Sequence, residues 1–121
     1  MEKNRYFKLK NLEKNIGYTF KDKKLLINAL SHSSYANEVK GQEDNERLEF
    51  LGDSILGFVV SNYIYNKKRE LPEGELTKIR ASIVCEKSLK KVADNIHLSE
   101  YILLGKGEQR TGGNRRSSIL S

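Results

Sequence analysis

The sequence has little cysteine, histidine and proline, and it has no tryptophan. Its one cysteine, Cys85, excludes an internal disulfide, and only His32 and His97 accompany it, too few soft or imidazole ligands for a structural zinc site. A free cysteine is typical of reducing compartments, which predicts a cytoplasmic protein. The longest apolar run, from Ile55 to Val60, is far shorter than the ~20 residues of a membrane span. The N-terminus is too polar for a secretory signal, so we expect no contact with a membrane.

The length of 121 residues predicts one domain, because typical domains contain ~100–200 residues. Charged residues make up 31% of the chain and hydrophobic residues 37%, so we expect a modest core and support from a partner subunit. The chain carries 22 basic and 16 acidic residues, a net charge of +6. This excess of positive charge favours an anionic partner such as nucleic acid.

Apolar residues recur at intervals of three and four along most of the chain, and the alternation typical of strands is nowhere sustained, which predicts an all-α fold. We expect Gly17 to end the first helix, Asp22 to cap the second and Asn45 to cap the longest. Residues 38–45 and the Gly-rich, basic residues 105–116 are expected to form loops. The predicted helices cover about residues 9–16, 23–30, 46–66, 76–84 and 86–95.

Three carboxylates share one face of the longest predicted helix. Glu46, Glu49 and Asp53 are spaced three and then four residues apart, which places them within about 60° of one another at ~100° per residue. The same helix is apolar on nearly all its other sides, so we expect it to be central and to pack on several neighbours. Carboxylates on such a helix would be poorly solvated and would require a compensating cation.

Two kinds of cation fit this acidic stripe, and the spacing leaves both open. A basic side chain such as Arg47 would neutralise the carboxylates in a purely structural role. Mg²⁺, which prefers carboxylate oxygens, would instead make them a binding site. Gly52 and Gly57 lie inside the same helix, where glycine costs ~1 kcal/mol relative to alanine, and they predict the close approach of another backbone.

The residues 45–54, Asn-Glu-Arg-Leu-Glu-Phe-Leu-Gly-Asp-Ser, closely resemble the signature of the ribonuclease III family. Further segments resemble the family in the same order, namely residues 16–20, 29–36, 73–76 with 80–81, and 104–108. The resemblance implies an all-helical endonuclease domain that works as a homodimer and cleaves double-stranded RNA with Mg²⁺, for which Mn²⁺ can substitute. It also implies products with 5′-phosphate and 3′-hydroxyl ends, and substrates among ribosomal precursors, messages and small RNAs.

Several residues take roles from the matching positions of the family. The resemblance implies that Glu49 and Asp53 are catalytic residues that hold the metal, and that Glu46 and Glu73 are acids of secondary importance near the active centre. Phe50 is similar to an aromatic residue that inserts into a socket on the partner subunit. A place in the ordinary core of this chain is an equally good interpretation of Phe50, and the sequence leaves the two open.

The chemistry implied by the resemblance requires no protein nucleophile, because metal ions held by carboxylates activate water for phosphodiester hydrolysis. We therefore interpret His32 as a structural residue and not as a general base. Arg80 is expected to pair with an acid of the long helix. Four basic residues in the predicted loop are candidates for contact with RNA phosphates, although a solvated loop explains them as well: Lys106, Arg110, Arg115 and Arg116.

The sequence departs from the family pattern at its C-terminal end. The family's metal site has a second acidic pair, Asp-x-x-Glu, just past the stretch that resembles residues 115–120, and here the chain stops at Ser121. The resemblance therefore implies an incomplete endonuclease domain over residues 1–121, without its last helices or an RNA-binding domain, and with little or no activity of its own. The alternative is a non-catalytic ribonuclease III-like module that dimerises or scaffolds RNA.

Overall fold

The computed structural model describes the backbone of residues 2–121 and the side chains of residue 5 and residues 7–121, and Met1, the first residue of the polar N-terminal segment, lies outside this range. Within residues 2–121 the chain forms helices and no strand, which confirms the predicted all-α fold. None of the helices in this range is both long and apolar enough to cross a membrane. The α-helices are α1 (Glu2–Ile16), α2 (Lys23–Leu30), α3 (Ser33–Glu38), α4 (Glu46–Lys67), α5 (Glu73–Ile83), α6 (Glu86–Asn95), α7 (Lys106–Arg110) and α8 (Ser117–Leu120), with 3₁₀ helices at Leu98–Glu100 and Gly113–Arg115.

The helix ends follow the predicted signals in two of three cases. Gly17 follows α1 with a φ of 71°, and the Asp22 carboxylate accepts the backbone N–H groups of residues 24 and 25 at the start of α2. Asn45 occupies the predicted N-cap position of α4, but its side chain makes no capping bond, because its amide donates to the carbonyl of Ala29 at 3.0 Å. The Asp44 carboxylate accepts the N–H of residue 46 instead, at 3.0 Å.

The predicted loop at residues 105–116 was wrong, since α7 and the second 3₁₀ helix occupy most of it. The loop predicted from residue 38 begins later, because α3 extends to Glu38. These helices are only three to six residues long and therefore show no apolar period of their own. His32 is the N-cap residue just before α3, and its ring Nδ1 accepts the backbone N–H of Ser34 at 3.2 Å, which supports a structural role for this histidine.

The core joins α1 and α2 to the segment that follows α6. Leu9 and Leu12 of α1 pack with Leu26 and Leu30 of α2, and all four are at least 94% buried. The Leu103 N–H donates to the Leu30 carbonyl at 2.9 Å, and the Leu103 carbonyl accepts the N–H of residue 32 at 3.0 Å. This short parallel bridge brings the end of α2 beside the chain that leads into α7.

The long helix α4 is much more exposed than the sequence predicted. Only Ile64 of its residues is buried, and Phe50, Phe58 and Tyr65 are 80%, 70% and 70% exposed. The prediction of a central helix was wrong for this chain because an apolar pattern shows that a face favours burial and does not show which element covers it. α4 packs chiefly on α5, where Arg80 donates to the Ser61 hydroxyl at 3.2 Å and not to an acid as predicted.

The two glycines inside α4 do not mark a close backbone contact within the described part of the chain. A Cβ atom built on Gly52 or Gly57 would have no neighbouring atom within 4 Å outside the helix's own local backbone. The prediction from these positions was therefore wrong for residues 2–121. The close approach of another backbone occurs at Gly105 instead, because a Cβ there would lie 2.7 Å from the Ser34 carbonyl oxygen.

Glu13 is a buried carboxylate that ties α1 to the start of α2. Its side chain is 5% exposed, and Oε2 accepts the Phe20 N–H at 2.5 Å and the Lys23 ammonium at 2.6 Å. The Lys23 hydrogen bond, followed by that of Phe20, lowers the pKa of Glu13 below its usual range. Because both contacts favour the ionised form, we expect Glu13 to stabilise the fold at neutral pH.

Glu13→Gln is expected to lower the Tm at pH 7 by several degrees, since the charge-assisted bonds to Phe20 and Lys23 are weakened. A lowered folded-state pKa contributes stability above the unfolded pKa of about 4.5, and this contribution is lost as the pH falls through the folded-state pKa. The Tm difference should therefore shrink on acidification, as measured by circular dichroism between pH 7 and pH 3. Glu70→Gln, an exposed control, should change the Tm little; a difference for Glu13→Gln that is constant with pH would contradict the assignment.

Candidate active site

The acidic stripe predicted from the sequence lies along one wall of a cleft. Glu46 and Glu49 occupy the first turn of α4 and Asp53 follows one turn later, and all three line a cavity of about 580 Å³. The three residues are exposed, so the expectation that they are poorly solvated was wrong. The exposed positions follow from the open surface of α4 and leave the carboxylates accessible to a ligand.

The other walls of the cleft come from distant parts of the chain. Glu86 at the start of α6 accepts a hydrogen bond from the Ser117 hydroxyl at 2.6 Å, which holds α8 beside α6. This contact brings the last four residues to the cavity that Glu49 and Asp53 line. Sequence analysis did not identify Glu86 as part of the site, because it carries no local signal beyond its place in the first turn of a helix. The remaining walls are formed by Ala29, Leu30, His32, Ser33, Asn45, Leu48, Val84, Leu89, Leu98 and Ile102.

The donor chemistry of Glu49 and Asp53 fits a magnesium ion. They offer hard oxygen ligands one helical turn apart on one face, and Mg²⁺ is commonly held by one or two carboxylates together with water. Within residues 2–121, no group of three His, Cys, Asp or Glu side chains is arranged to hold a metal. Nor does Arg47 or another basic side chain form an ion pair with the stripe in that range, so the structure does not support neutralisation by a side chain.

Glu73 does not join the three acids in the described chain. It begins α5 and lines a separate hollow of about 350 Å³ together with Phe58, Tyr65 and Arg80. Of the four acids that the sequence grouped, the structure therefore brings three to one cleft. The fourth lies on the surface shared by α4 and α5.

Phe50 projects from α4 on the edge of another open hollow, of about 1010 Å³. With 80% of its surface exposed, it does not belong to the core of this chain. The hollow is lined by residues of α3, of the segment before α4 and of α4 itself, for example Ala36, Asp44 and Leu51 respectively. An exposed phenylalanine at this place is suited to contact with another molecule.

The four basic candidates for RNA contact lie on short helices instead of a loop. Lys106 is the first residue of α7 and Arg110 is its last, and Arg115 ends the following 3₁₀ helix. The Arg116 guanidinium donates one hydrogen bond to the Glu108 carboxylate at 2.8 Å and another to the Thr111 hydroxyl at 2.9 Å. All four are exposed, and within residues 2–121 the first three form no ion pair.

The structure is an all-helical domain that presents a stripe of carboxylates to an open cleft. A sequence profile described as Ribonuclease-III-like matches residues 22–121, and the chain therefore belongs to the ribonuclease III family. Ribonuclease 3 of Clostridium perfringens is 56% identical over 108 residues, which are 89% of this chain and 46% of that protein. Ribonuclease 3 of Oceanobacillus iheyensis is 50% identical over 115 residues, 93% of this chain and 50% of that protein.

The fold also matches solved structures. The nuclease domain of ribonuclease III from Campylobacter jejuni superposes with a TM-score of 0.85 at 46% identity, covering 92% of this chain and 75% of that one. Its description refers to structural flexibility in a region involved in dimer formation. The chain spans about half the length of the curated relatives it matches.

Proposed function

We propose that this chain forms the nuclease domain, or a large part of it, of an endoribonuclease that hydrolyses double-stranded RNA with Mg²⁺. The observation that carries the proposal is the position of Glu49 and Asp53, exposed on one face of α4 and open to the cleft. Both lie within the segment that resembles the family signature, and the family membership supports the same reaction class. The RNAs processed would include ribosomal precursors, messages and small RNAs, in the cytoplasm.

The chemistry follows from the residues around the cleft. Mg²⁺ held by Glu49 and Asp53, or Mn²⁺ in its place, would supply an activated water and neutralise charge on the phosphate oxygens. Glu46, in the same first turn of α4 as Glu49, adds negative charge that attracts a cation to this wall. Water adds to phosphorus as the bond to the 3′-oxygen breaks, so the products carry a 5′-phosphate and a 3′-hydroxyl.

The duplex would be held through its phosphates and 2′-hydroxyls, because proteins read double-stranded RNA mainly by shape. The net charge of +6 favours this binding, and Lys106, Arg110 and Arg115 are the exposed cations best placed on short, ordered helices. Arg116 is a weaker candidate, since its guanidinium already binds Glu108 and Thr111.

The working form would be a homodimer in which Phe50 contacts the partner subunit. The exposed apolar side chains of α4 support this proposal, because a monomer that leaves Phe50 and Phe58 at 80% and 70% exposure carries an unusually open hydrophobic surface. Glu73, which lies on the same side of the molecule as Phe58, would then act near the dimer contact and only indirectly in catalysis.

The 121-residue chain is expected to cleave duplex RNA on the order of a thousandfold more slowly than a curated relative of about twice its length, because two carboxylates hold a metal ion weakly. The comparison uses a labelled RNA duplex with Mg²⁺ and with EDTA, and end-labelling identifies the product ends. Robust Mg²⁺-dependent cleavage by the 121-residue chain would contradict the expected weakness. Absence of cleavage by the whole-frame protein, which is the product of the complete reading frame whatever its length, would contradict the proposed function and favour a non-catalytic module that dimerises or scaffolds RNA.

A further inference from the structure

A second cavity, of about 610 Å³, lies between α1, residues 99–103 and the 3₁₀ helix Gly113–Arg115. It shares Leu30 and Ile102 with the acidic cleft and contains none of the three carboxylates of the stripe. Its volume falls within the range of ~300–1,000 Å³ that is typical of small-molecule sites. The cavity is therefore large enough for a ligand of its own.

Three cations from two distant parts of the chain converge on this cavity. Arg5 and Lys8 are three residues apart on α1 and so share one face, and Arg115 reaches the same cavity from the other end of the sequence. Glu100 is the one acid among the described residues that line it, and Arg5 donates to the Tyr35 hydroxyl at 2.9 Å. Among the described side chains, those of residue 5 and residues 7–121, no carboxylate forms an ion pair with the three cations. Cations that line one cavity repel one another, and an anionic ligand would relieve that repulsion.

The remaining lining suits an aromatic base. The buried leucines Leu9 and Leu30 contribute to its apolar lining, and Tyr101 is half-buried beside them. Gln109 and Asn114 add amide groups, which both donate and accept hydrogen bonds as the edges of bases do. Cationic, aromatic and amide groups around an apolar lining are the combination that recognises a nucleotide.

We propose that this cavity binds a nucleotide, with Arg5, Lys8 and Arg115 holding its phosphate and with Tyr101 and the leucines receiving its base. Among the described lining residues, three cations and one acid leave two positive charges, which match a phosphomonoester of charge about −1.5 to −2 at pH 7. The nucleotide is either a free nucleoside monophosphate or the 5′-phosphorylated end of an RNA strand. The proposal does not depend on cleavage at the acidic cleft.

Titration calorimetry with adenosine 5′-monophosphate tests the proposal on the 121-residue chain. Binding is expected for the wild type, and Lys8→Gln with Arg115→Gln should weaken it roughly tenfold or more, because two charge-assisted contacts are lost. The matched control, Lys14→Gln with Arg69→Gln, removes the same charge from exposed positions outside the cavity and should change affinity less than about twofold. Lys8→Arg with Arg115→Lys, which keeps the charge, should retain binding.

Adenosine without phosphate should bind far more weakly than its monophosphate. A short single-stranded RNA with a 5′-phosphate, compared with the same RNA ending in a 5′-hydroxyl, separates the two sources: preference for the phosphorylated end identifies an RNA terminus, and binding of the free nucleotide alone identifies a small-molecule ligand. Absence of binding by both the monophosphate and the phosphorylated RNA would overturn the proposal. An equal loss of affinity for the monophosphate in the cavity variant and in the control variant would also overturn the proposal.

Discussion

Asp53→Asn is expected to lower cleavage of double-stranded RNA by the whole-frame protein roughly a thousandfold or more. Asparagine preserves the size of the side chain and removes the negative charge that makes Asp53 a ligand for a hard cation. Asp53 is exposed and forms no ion pair in residues 2–121, so the substitution should leave the fold intact. Single-turnover cleavage of a labelled duplex at saturating protein measures the effect on chemistry.

Controls separate catalysis from folding and RNA binding in the Asp53 experiment. Glu70→Gln removes an exposed acid outside the cleft and should leave the cleavage rate within about twofold of the wild type. Glu46→Gln, on the stripe about two helical turns before Asp53, should give an intermediate loss of cleavage rate. The assignment of Asp53 would be wrong if its variant kept most of the activity, or if lost activity accompanied a large drop in Tm.

Gly105→Ala is expected to destabilise the chain by about 1–3 kcal/mol, the usual cost of forcing extra atoms into a packed site. A Cβ at this position would lie 2.7 Å from the Ser34 carbonyl oxygen and 3.1 Å from the Glu38 carboxylate. The Gly105 N–H also donates to the Ser34 hydroxyl at 2.9 Å, so α3 and the start of α7 are fitted closely together. Urea unfolding followed by circular dichroism measures the loss.

Gly107→Ala is the matched control for Gly105, because it lies two residues away inside α7 and an added Cβ has no neighbour within 4 Å. Its φ is not in the left-handed region, so alanine should stabilise the short helix by a few tenths of a kcal/mol up to ~1 kcal/mol. We expect the two substitutions to change the free energy of unfolding in opposite directions. Equal effects would mean that the close approach of residues 34 and 105 does not constrain the fold.

Helix boundaries and the acidic stripe are predictable from short-range patterns. Gly17 and Asp22 act at their helix ends as expected, because such signals depend on the backbone of adjacent residues. The carboxylates of Glu46, Glu49 and Asp53 share a face because the geometry of a helix alone places them there. These features need no knowledge of the rest of the molecule.

The surroundings of that stripe are not predictable from short-range patterns, because they depend on contacts between residues distant in the sequence. The exposed state of Phe50 and the approach of Ser117 to Glu86, 31 residues away, have no signature in local spacing. The same holds for Gly105, whose constraint arises from Ser34, 71 residues earlier. Patterns of apolar residues report which faces favour burial and not which partners cover them.

Local residue patterns thus specify an all-helical chain with a carboxylate face, since the longer helices show an apolar period and some of their ends carry cap signals within a few residues. Only the packed structure shows that this face opens on a cleft walled by α6 and α8, that Glu73 lies apart from it, and that Arg5, Lys8 and Arg115 meet around a second cavity. Convergence of residues more than 100 positions apart results from how helices pack on the Leu9, Leu12, Leu26 and Leu30 core. That arrangement is a property of the whole chain and of no single segment.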